Sequence, residues 1–475
     1  MPGEFSGKTT PAGLARRRLH HFFIWAGVLA AAFSAPVSAA DGGWAGSRPN
    51  VVLIVADDLG YGDLACYGNP GIRTPNLDRM AREGMKFTQF ATASPLCSPS
   101  RAALMTGRLP IRYGLDRVLS PVARRGIPKS ELTLGELFRS AGYATACIGK
   151  WHLGRLPKFL PTRNGFDHYF GIPYSNDMSR KSNPHHPLYR WKLVPPLPLM
   201  RDEKIIEREP DQDLLTQRYT EEAIRFMRTS HAEGKRFFLY LPHTAPHPPL
   251  HASARFRGRS RRGLYGDVVE ELDWSTGEIL RTVRELGLDE TTLVMFTSDN
   301  GPWLAKKQDG GSPGLFHEGK GSTWEGGVRV PFIARWPGKI PAGVTSEAFA
   351  TATDLLPTFA RLAGITLPAG RAYDGVDLSP VLFQNSPGRE ALLFYWVGHQ
   401  LRAVRKGPWK LHVITNSPSN HTRATKRRNP PLLFNVLEDP SEAYDVAADH
   451  PGLVKELLDL MKEHKKEVFH RRSRF

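Results

Sequence analysis

The fold prediction starts from the run Pro49-Asn50-Val51-Val52-Leu53-Ile54-Val55-Ala56, which is followed directly by Asp57-Asp58. A short and continuous apolar run is typical of a strand that is covered on both faces inside a parallel sheet. In open α/β sheets, ligands bind beyond the carboxyl ends of the strands. Asp57 and Asp58 are therefore the first candidate site residues.

Apolar runs of the same kind alternate with helical patterns over most of the chain. The further predicted strands are residues 143–149, 236–241, 292–297 and 330–334, and the predicted helices are residues 74–84, 133–142, 213–229, 265–286 and 354–363. This alternation predicts an α/β fold with a large, mixed and mostly parallel sheet flanked by helices. Residues 153–210 are rich in Pro, Gly and His, and are predicted to be an irregular excursion over the mouth of the active site.

The pattern changes after residue 387. Short strands are predicted at residues 392–396, 401–405, 409–413 and 432–436, and an amphipathic helix is predicted at residues 451–468. We therefore expect a smaller C-terminal domain, residues 387–475, with an antiparallel sheet and a closing helix. It lies beside a catalytic domain of residues 48–386.

Residues 1–40 have the order of a secretory signal peptide. Arg16-Arg17-Arg18 precede an apolar stretch at residues 22–33, and small residues at 37–40 offer a cleavage site. The apolar stretch is too short to span a bilayer comfortably. We therefore expect export to the periplasm or the extracellular space, with no membrane span after cleavage. An uncleaved N-terminal anchor is the alternative.

The chain of 475 residues has a formal net charge of +17. Residues 1–40 carry +3 of this charge, so the mature chain keeps +14, which suits a polyanionic partner such as a sulfated glycan, an anionic surface or nucleic acid. Nucleic acid is a poor candidate, because the sequence has no zinc-finger spacing, RNP-like run or basic zipper. The three cysteines do not form a disulfide framework, and whether Cys66 and Cys147 pair stays open.

Carboxylate and amide side chains follow two of the predicted strands. Asp57 and Asp58 follow the first, and Asp299 and Asn300 follow the strand at residues 292–297. Oxygen ligands of this kind suit a hard divalent cation such as calcium or magnesium. Because adjacent carboxylates repel each other, such a cluster needs a cation to be stable. The alternative is that these acids only cap helices.

Cationic and imidazole side chains follow other predicted strands. Lys150 and His152 come directly after residues 143–149, and His243 and His247 stand in a proline-rich run after residues 236–241. Lys320 lies among glycines, which let the backbone approach a ligand. Lysine binds an anion as a point charge, and histidine moves protons near neutral pH. For His243, the alternative is a purely structural role.

Cys97 stands where a helical pattern begins, in the run Cys97-Ser98-Pro99-Ser100-Arg101. A proline costs nothing at the start of a helix, because the missing N–H would have no partner there. The helix N-terminus favours an anion, and Arg101, one turn later, can point back to the same spot. The alternative is a free cysteine packed in the core.

Two stretches resemble the signatures of the sulfatase family: the run from Cys97 to Arg101 with its tail Leu104-Met105-Thr106-Gly107, and residues 142–152. The resemblance covers residues 48–470 and is greatest to the branch that contains arylsulfatase A and N-acetylgalactosamine-6-sulfatase. It implies an alkaline-phosphatase-like fold. It also implies that a formylglycine-generating enzyme oxidises Cys97 to formylglycine.

The resemblance implies a role for each candidate residue. Calcium, with magnesium as the alternative, would be bound by Asp57, Asp58, Asp299, Asn300 and the modified Cys97. The catalytic residues would be Cys97, Arg101, Lys150, His152, His247 and Lys320. The substrate-binding residues would be Ser175, Lys150, His247 and Lys320.

The implied activity is hydrolysis of a sulfate ester, with a sulfated carbohydrate as the expected substrate. One hydroxyl of the formylglycine hydrate would attack sulfur while His247 or Lys320 protonates the leaving alcohol, and His152 would deprotonate the second hydroxyl. The alternatives are a phosphonate or phosphodiester hydrolase of the same superfamily, and a secreted, non-catalytic glycan-binding paralogue. The candidate selectors of the substrate are Asp177, Met178, Trp303, His317 and residues 182–187.

Overall fold

The apolar run that follows Pro49 forms a central strand, Asn50–Ala56, of a ten-stranded sheet. The computed structural model describes residues 3–4, 43–179, 181, 194–420 and 424–472. Apart from residues 3–4, the predicted signal peptide lies outside the described residues, as does the segment 182–187. The chain divides into the units Met1–Asp41 and Gly42–Phe475, and the fold described below is that of the second unit.

The strands of the larger part of this unit are numbered in chain order. They are β1 (Asn50–Ala56), β2 (Met85–Phe87), β3 (Phe90–Ala91), β4 (Ala144–Lys150), β5 (His168–Ile172), β6 (Pro198–Arg201), β7 (Lys204–Arg208), β8 (Phe237–Pro242), β9 (Thr292–Ser298), β10 (Phe332–Arg335), β11 (Val344–Ser346) and β12 (Ala350–Thr351). The large sheet has the order β11-β2-β10-β9-β1-β8-β4-β5-β6-β7, and β3 pairs with β12 in a small separate sheet. The strands from β9 to β5 are parallel to one another, whereas β10 and β6 run antiparallel to them, and β7 pairs antiparallel with β6. The predicted large, mixed and mostly parallel sheet is confirmed.

Helices cover both faces of this sheet. They are α1 (Pro75–Arg82), α2 (Cys97–Thr106), α3 (Leu134–Ser140), α4 (Leu215–Ala232), α5 (Gly263–Glu285), α6 (Glu325–Val328), α7 (Leu355–Ala363) and α8 (Ser379–Gln384). Alternate residues of β1 face opposite ways: Val51, Leu53 and Val55 pack with α2, α3 and α7, whereas Val52 and Ile54 pack with α1, α4 and α5. Because both faces of β1 are buried, its sequence is apolar throughout.

The prediction of irregular structure over residues 153–210 is wrong in part, because β5, β6 and β7 lie inside it and extend the sheet to one edge. Two of these strands contain a glycine or a proline, and these residues are not typical of strand sequences. Gly171 of β5 has no side chain because a Cβ there would lie 1.8 Å from the carbonyl oxygen of Gly149 in β4. Pro198 begins β6, a position that tolerates proline because it is the first residue of the strand.

The predicted C-terminal antiparallel sheet with a closing helix is confirmed. Its elements are β13 (Leu392–Val397), β14 (Gln400–Lys406), β15 (Trp409–Asn416), β16 (Thr425–Asn435) and α9 (Pro451–Arg472), and the four strands pair in sequence order. One face of the sheet packs Val404, Leu411 and Leu433 against Leu457 and Met461 of α9. The opposite face packs Tyr395 and Ala403 against Ala91 of β3, Val328 of α6 and Phe349.

The two cysteines whose pairing the sequence left open are free thiols. Cys147 is buried in the cluster on the α2 side of the large sheet, whereas Cys66 packs against the cluster on the α1 side. The sheet therefore lies between them. Among the described residues, no helix combines the length and the apolar character needed to cross a membrane.

Candidate active site

Cys97 is the first residue of α2, a helix that is buried along its whole length. The helix begins there because Leu96 is extended and Pro99 occupies the first turn, where it removes no helical hydrogen bond. The Cys97 Sγ atom lies 3.7 Å from Asp57 Oδ1 and 4.0 Å from Asp58 Oδ1. The structure thus brings the cysteine to the carboxyl end of β1, as the sequence predicts.

Asp57, Asp58, Asp299 and Asn300 come together because β1 and β9 are parallel neighbours in register, with Ala56 opposite Ser298. Asp299 Oδ1 accepts a hydrogen bond from the backbone N–H of Asp58 at 3.1 Å. The Asn300 amide nitrogen donates to Asp58 Oδ1 at 2.7 Å. All four residues are buried, so the mutual repulsion of the three carboxylates is not screened by water.

The donor set fits a hard divalent cation. Asp57, Asp58, Cys97 and His247 each offer a ligand atom, and these atoms lie within 4.8 Å of one another. The side-chain oxygen of Asn300 is buried and has no hydrogen-bond partner among the described residues, which leaves it available as a further ligand. Burial, together with the charges of Asp57 and Asp58, raises the pKa of Asp299 to about 7, although Arg101 opposes this. A cation between these oxygens would remove that repulsion.

Two buried cations, Arg101 and Lys150, and the half-buried Lys320 surround the carboxylates. The Arg101 guanidinium donates through Nε to Asp299 Oδ2 at 2.9 Å and through Nη1 to the Lys150 carbonyl at 3.0 Å. The Lys150 ammonium contacts Asp57 and donates to Ser175 Oγ at 3.0 Å. Lys320 donates to Asp58 Oδ2 at 2.7 Å. Ser175 therefore lies in the cluster, as the sequence predicts.

These cations control the ionisation of the cluster. Burial alone would raise the pKa of Asp57, but Lys150, His247, Arg101 and Lys320 outweigh burial and hold that pKa well below its ordinary value. Burial raises the pKa of the Cys97 thiol to about 12, although Lys150 and Lys320 oppose this. The unmodified side chain is therefore a protonated thiol at neutral pH.

His152 and His247 are both buried, and contacts with carbonyl groups define their ring orientations. The Nε2 atom of His152 lies 2.9 Å from the Leu119 carbonyl oxygen, and among the described residues its Nδ1 atom has no hydrogen-bond partner. The Nδ1 atom of His247 lies 2.6 Å from the Pro248 carbonyl oxygen, and its Nε2 atom lies 3.5 Å from Asp58 Oδ2. Burial lowers the pKa of both rings, with a further contribution from Lys150 at His152 and from Lys320 at His247.

His243 does not join this cluster. Its Nε2 atom lies 3.3 Å from Ser275 Oγ, and burial lowers its pKa to about 3. These contacts therefore favour the alternative for His243, a purely structural role.

Two of the candidate selectors, Trp303 and Asp177, lie close to members of the charged cluster. The Trp303 ring lies 5.3 Å from the His247 ring, and the Lys320 ammonium lies 4.6 Å from the Trp303 ring centre. Within the part of the chain that the structure describes, Asp177 Oδ1 is buried without a hydrogen-bond partner. His317 packs edge-on against Trp324 at 4.8 Å.

Sequence reasoning did not find the contacts that hold the Lys320 loop, residues 318–325. Asn416, Ser419 and Glu442, all from the C-terminal part of the chain, donate to or accept from this loop. They are separated from it by 95, 101 and 117 residues. No local pattern in the sequence signals such contacts.

Comparisons with known proteins agree with the geometry. The sulfatase family model matches residues 49–365, and the model for the C-terminal region of aryl-sulfatase matches residues 388–475. The chain is 40% identical to N-acetylgalactosamine-6-sulfatase of Mus musculus over 88% of this chain and 86% of that protein. It is 41% identical to arylsulfatase A of Homo sapiens over 87% of this chain and 86% of that protein.

A solved structure, that of the PsFucS1 sulfatase from Pseudoalteromonas sp., superimposes on the chain with a TM-score of 0.81 and 32% sequence identity. The match covers 89% of this chain and 91% of that one. These matches favour hydrolysis of sulfate esters over the phosphonate and non-catalytic alternatives. The chain belongs to the sulfatase family of sulfuric ester hydrolases.

Proposed function

We propose that this chain hydrolyses a sulfate ester of a sulfated carbohydrate, with formylglycine at position 97 and calcium in the oxygen cluster. The observation that carries the proposal is the position of Cys97. Its side chain lies against Asp57 and Asp58 and within a ring formed by Arg101, Lys150 and Lys320.

The residues around position 97 suit both a calcium ion and a formylglycine side chain. Calcium would be held by Asp57, Asp58, Asp299, Asn300 and residue 97, with magnesium as the alternative, and would neutralise charge on a sulfate oxygen. The formylglycine hydrate would supply the oxygen nucleophile that a buried, protonated thiol does not supply.

The cations would bind and orient the sulfate group. A sulfate monoester repels an anionic nucleophile, so the largest contribution is expected from positive charge that is fixed before the reaction. Arg101, Lys150 and Lys320 provide it, and each is already held by a carboxylate or a carbonyl group. Ser175 Oγ, 3.0 Å from the Lys150 ammonium, adds a hydroxyl that binds a sulfate oxygen.

The histidine contacts assign the positions of protons. A carbonyl oxygen only accepts hydrogen bonds, so the neutral His152 ring carries its proton on Nε2 and offers Nδ1 as a base. In the same way, the neutral His247 ring carries its proton on Nδ1, where it donates to the Pro248 carbonyl. The neutral His247 ring therefore has no proton on Nε2 to give. This favours Lys320 over His247 as the donor to the leaving alcohol.

The charge and the relatives support a carbohydrate substrate. The mature chain, after removal of residues 1–40, keeps +14 of the +17 net charge, which favours a polyanion. One relative is named for the sulfate of N-acetylgalactosamine.

We further infer that the chain is exported to the periplasm or the extracellular space through residues 1–40. We also infer that a formylglycine-generating enzyme modifies it, and that residues 48–386 and 387–475 are its two domains.

The test combines mass analysis with kinetics. The intact mass of the peptide that contains residue 97 should show loss of the thiol sulfur in active enzyme. Purified protein should release sulfate from p-nitrophenyl sulfate and from at least one member of a sulfated-oligosaccharide panel, and should turn over bis-p-nitrophenyl phosphate much more slowly. An active enzyme with an unmodified thiol, or faster turnover of the phosphodiester, would contradict the proposal.

A further inference from the structure

The backbone of Gly321, which follows Lys320 in the chain, makes hydrogen bonds to two other segments. Its N–H donates to the carbonyl oxygen of Pro95 at 2.9 Å, two residues before Cys97. Its carbonyl oxygen accepts a hydrogen bond from the side-chain amide of Asn416 at 2.9 Å. Asn416 is the last residue of β15, so the C-terminal sheet directly contacts the loop that carries Lys320.

The two ends of the Lys320 loop are also attached to the C-terminal part of the chain. At one end, Ser419 Oγ donates to the Glu318 carboxylate at 2.7 Å. At the other end, the Glu442 carboxylate accepts from the backbone N–H of Glu325 at 2.6 Å, at the start of α6. The position of Lys320 is therefore fixed from outside the large sheet.

Asn416 makes a second contact, which explains why an amide stands there. Its side-chain oxygen accepts from Arg402 Nη1 at 2.8 Å. Arg402 is 7% exposed, and burial lowers its pKa to about 10. Within the part of the chain that the structure describes, no carboxylate lies within 4.0 Å of its guanidinium. A carboxylate at position 416 would suit Arg402 better, but it could not donate to the Gly321 carbonyl.

We propose that Asn416 is a positioning residue for catalysis, which fixes the ammonium of Lys320 through its hydrogen bond to the Gly321 carbonyl. The inference rests on the proposed function, because it concerns a lysine assigned to the sulfate and the leaving alcohol. Asn416 does not contact the carboxylate cluster and acts only through the loop. Fixed geometry matters here, because a displacement of about 1 Å at a reacting group costs about 10²-fold in rate.

The variant Asn416→Asp separates positioning from structural support. It is nearly isosteric, keeps the oxygen that accepts from Arg402 and gives that buried cation a counter-charge, but it loses the donor to Gly321. We expect a melting temperature equal to or above that of the wild type, and a fall in kcat/KM for p-nitrophenyl sulfate of about tenfold or more. If Asn416 only supported the fold, its substitution would lower kcat/KM only together with the melting temperature.

Asn420→Asp is the matched control. It adds the same charge on an exposed residue of the same segment, four positions away, and should leave kcat/KM unchanged. A loss in this control equal to that of Asn416→Asp would show that added charge, and not the missing donor, is responsible. That result would overturn the proposal.

A double-mutant cycle tests whether Asn416 acts through Lys320. In the Lys320→Ala background, Asn416→Asp should cause little further loss in kcat/KM, because the group that it positions is absent. Calorimetry with inorganic sulfate gives a second readout that needs no turnover: Asn416→Asp should weaken sulfate binding in the wild-type background and not in Lys320→Ala. Equal losses in both backgrounds would overturn the inference. Wild-type enzyme without sulfatase activity would instead overturn the proposed function.

Discussion

The Lys320 loop contributes a residue to each of two clusters of charge, Lys320 to one and Glu325 to the other. The active-site cluster contains Asp57, Asp58, Asp299, Arg101, Lys150 and Lys320, and the second, here called the Glu325 cluster, contains Glu325, Glu442, Lys410, His412, Arg329 and Arg405. Both consist of carboxylates and cations removed from water. They differ in whether ligand atoms of several residues converge on one volume.

In the Glu325 cluster every carboxylate oxygen has a partner. Glu325 accepts from Lys410 at 2.7 Å and from Arg329 at 3.3 Å, and Glu442 accepts from His412 at 2.7 Å and from the backbone of Glu325. A buried ionic group of this kind is stable because each charge is compensated inside the protein. Its contacts join the C-terminal sheet to α6.

In the active-site cluster, by contrast, ligand atoms of Asp57, Asp58, Cys97 and His247 lie within 4.8 Å of one another, and within the described part of the chain no such group includes Glu325 or Glu442. Unpaired buried atoms occur at both clusters: among the described residues, Asn300 Oδ1 and His152 Nδ1 have no hydrogen-bond partner, and neither has His412 Nδ1 in the Glu325 cluster. The comparison teaches that neither buried charge nor an unpaired polar atom marks a site by itself, whereas ligand atoms that converge on one volume do.

The largest expected effect follows from substitution of Cys97 by Ser. Serine lacks the second hydroxyl that a formylglycine hydrate offers, so we expect multiple-turnover hydrolysis of p-nitrophenyl sulfate to fall by on the order of 10⁴-fold or more. The melting temperature should change little, because the two side chains are similar in volume. Continued multiple turnover by this variant would contradict the mechanism.

Removal of one partner from the Glu325 cluster should instead reduce stability. In Glu442→Ala the buried Lys410 and His412 lose a carboxylate partner, and we expect a loss of about 3–5 kcal/mol in the free energy of unfolding, measured by urea denaturation. Glu456→Ala, on an exposed residue of α9, is the control and should leave the unfolding midpoint unchanged. A Glu442→Ala protein as stable as the wild type would show that this cluster does not hold the C-terminal sheet in place.

Calcium should distinguish the two clusters. We expect added calcium to raise the melting temperature of the chelator-treated wild type, because a cation that binds only the native state stabilises it. Loss of an outer-shell partner typically weakens metal binding by about 10–100-fold, so Asp58→Asn, which alters a direct ligand, should weaken calcium binding by at least this factor. Glu442→Ala should keep the calcium-dependent rise in melting temperature. A calcium effect that is lost in Glu442→Ala and kept in Asp58→Asn would place the cation at the wrong cluster.

The smallest expected effect is a change in the stability of the Glu325 cluster at acidic pH. Burial would raise the pKa of Glu325, but Lys410, Arg329 and Arg405 outweigh burial and lower the pKa from 4.5 to about 2. Because the folded pKa is below the unfolded one, this carboxylate contributes stability that is complete above pH 4.5 and is lost as the pH falls toward 2. The difference in melting temperature between wild type and Glu325→Gln should therefore narrow from pH 6 to pH 3. A difference that stays constant with pH would contradict this assignment.

The sequence predicts those parts of the molecule that local pattern controls. β1 and β9 are apolar over their whole length because both faces are covered, and their parallel pairing brings Asp57 and Asp299 to one edge. Cys97 and Arg101 are found because a helix start with proline in its first turn is visible in the sequence. These elements needed no knowledge of distant contacts.

The remainder depends on contacts between distant segments. β5 and β6 are not predicted because Gly171 is required by the close approach of the neighbouring strand, and Pro198, at the start of β6, is not typical of a strand sequence. The hydrogen bond from Asn416 to Gly321 joins residues that are 95 positions apart in the chain. An asparagine at the end of a strand does not by itself indicate such a contact. Ring orientations at His152 and His247 likewise depend on carbonyl groups of the folded chain.

A crystal structure of the purified enzyme grown with calcium would decide whether residue 97 and a divalent cation share one pocket. We expect a single calcium ion among Asp57, Asp58, Asp299 and Asn300, with an oxidised side chain at position 97 directed toward it and Arg101, Lys150 and Lys320 around the pair. An empty oxygen cluster in calcium-soaked crystals, or an unmodified thiol turned away from these carboxylates in active enzyme, would contradict the assignment of this site.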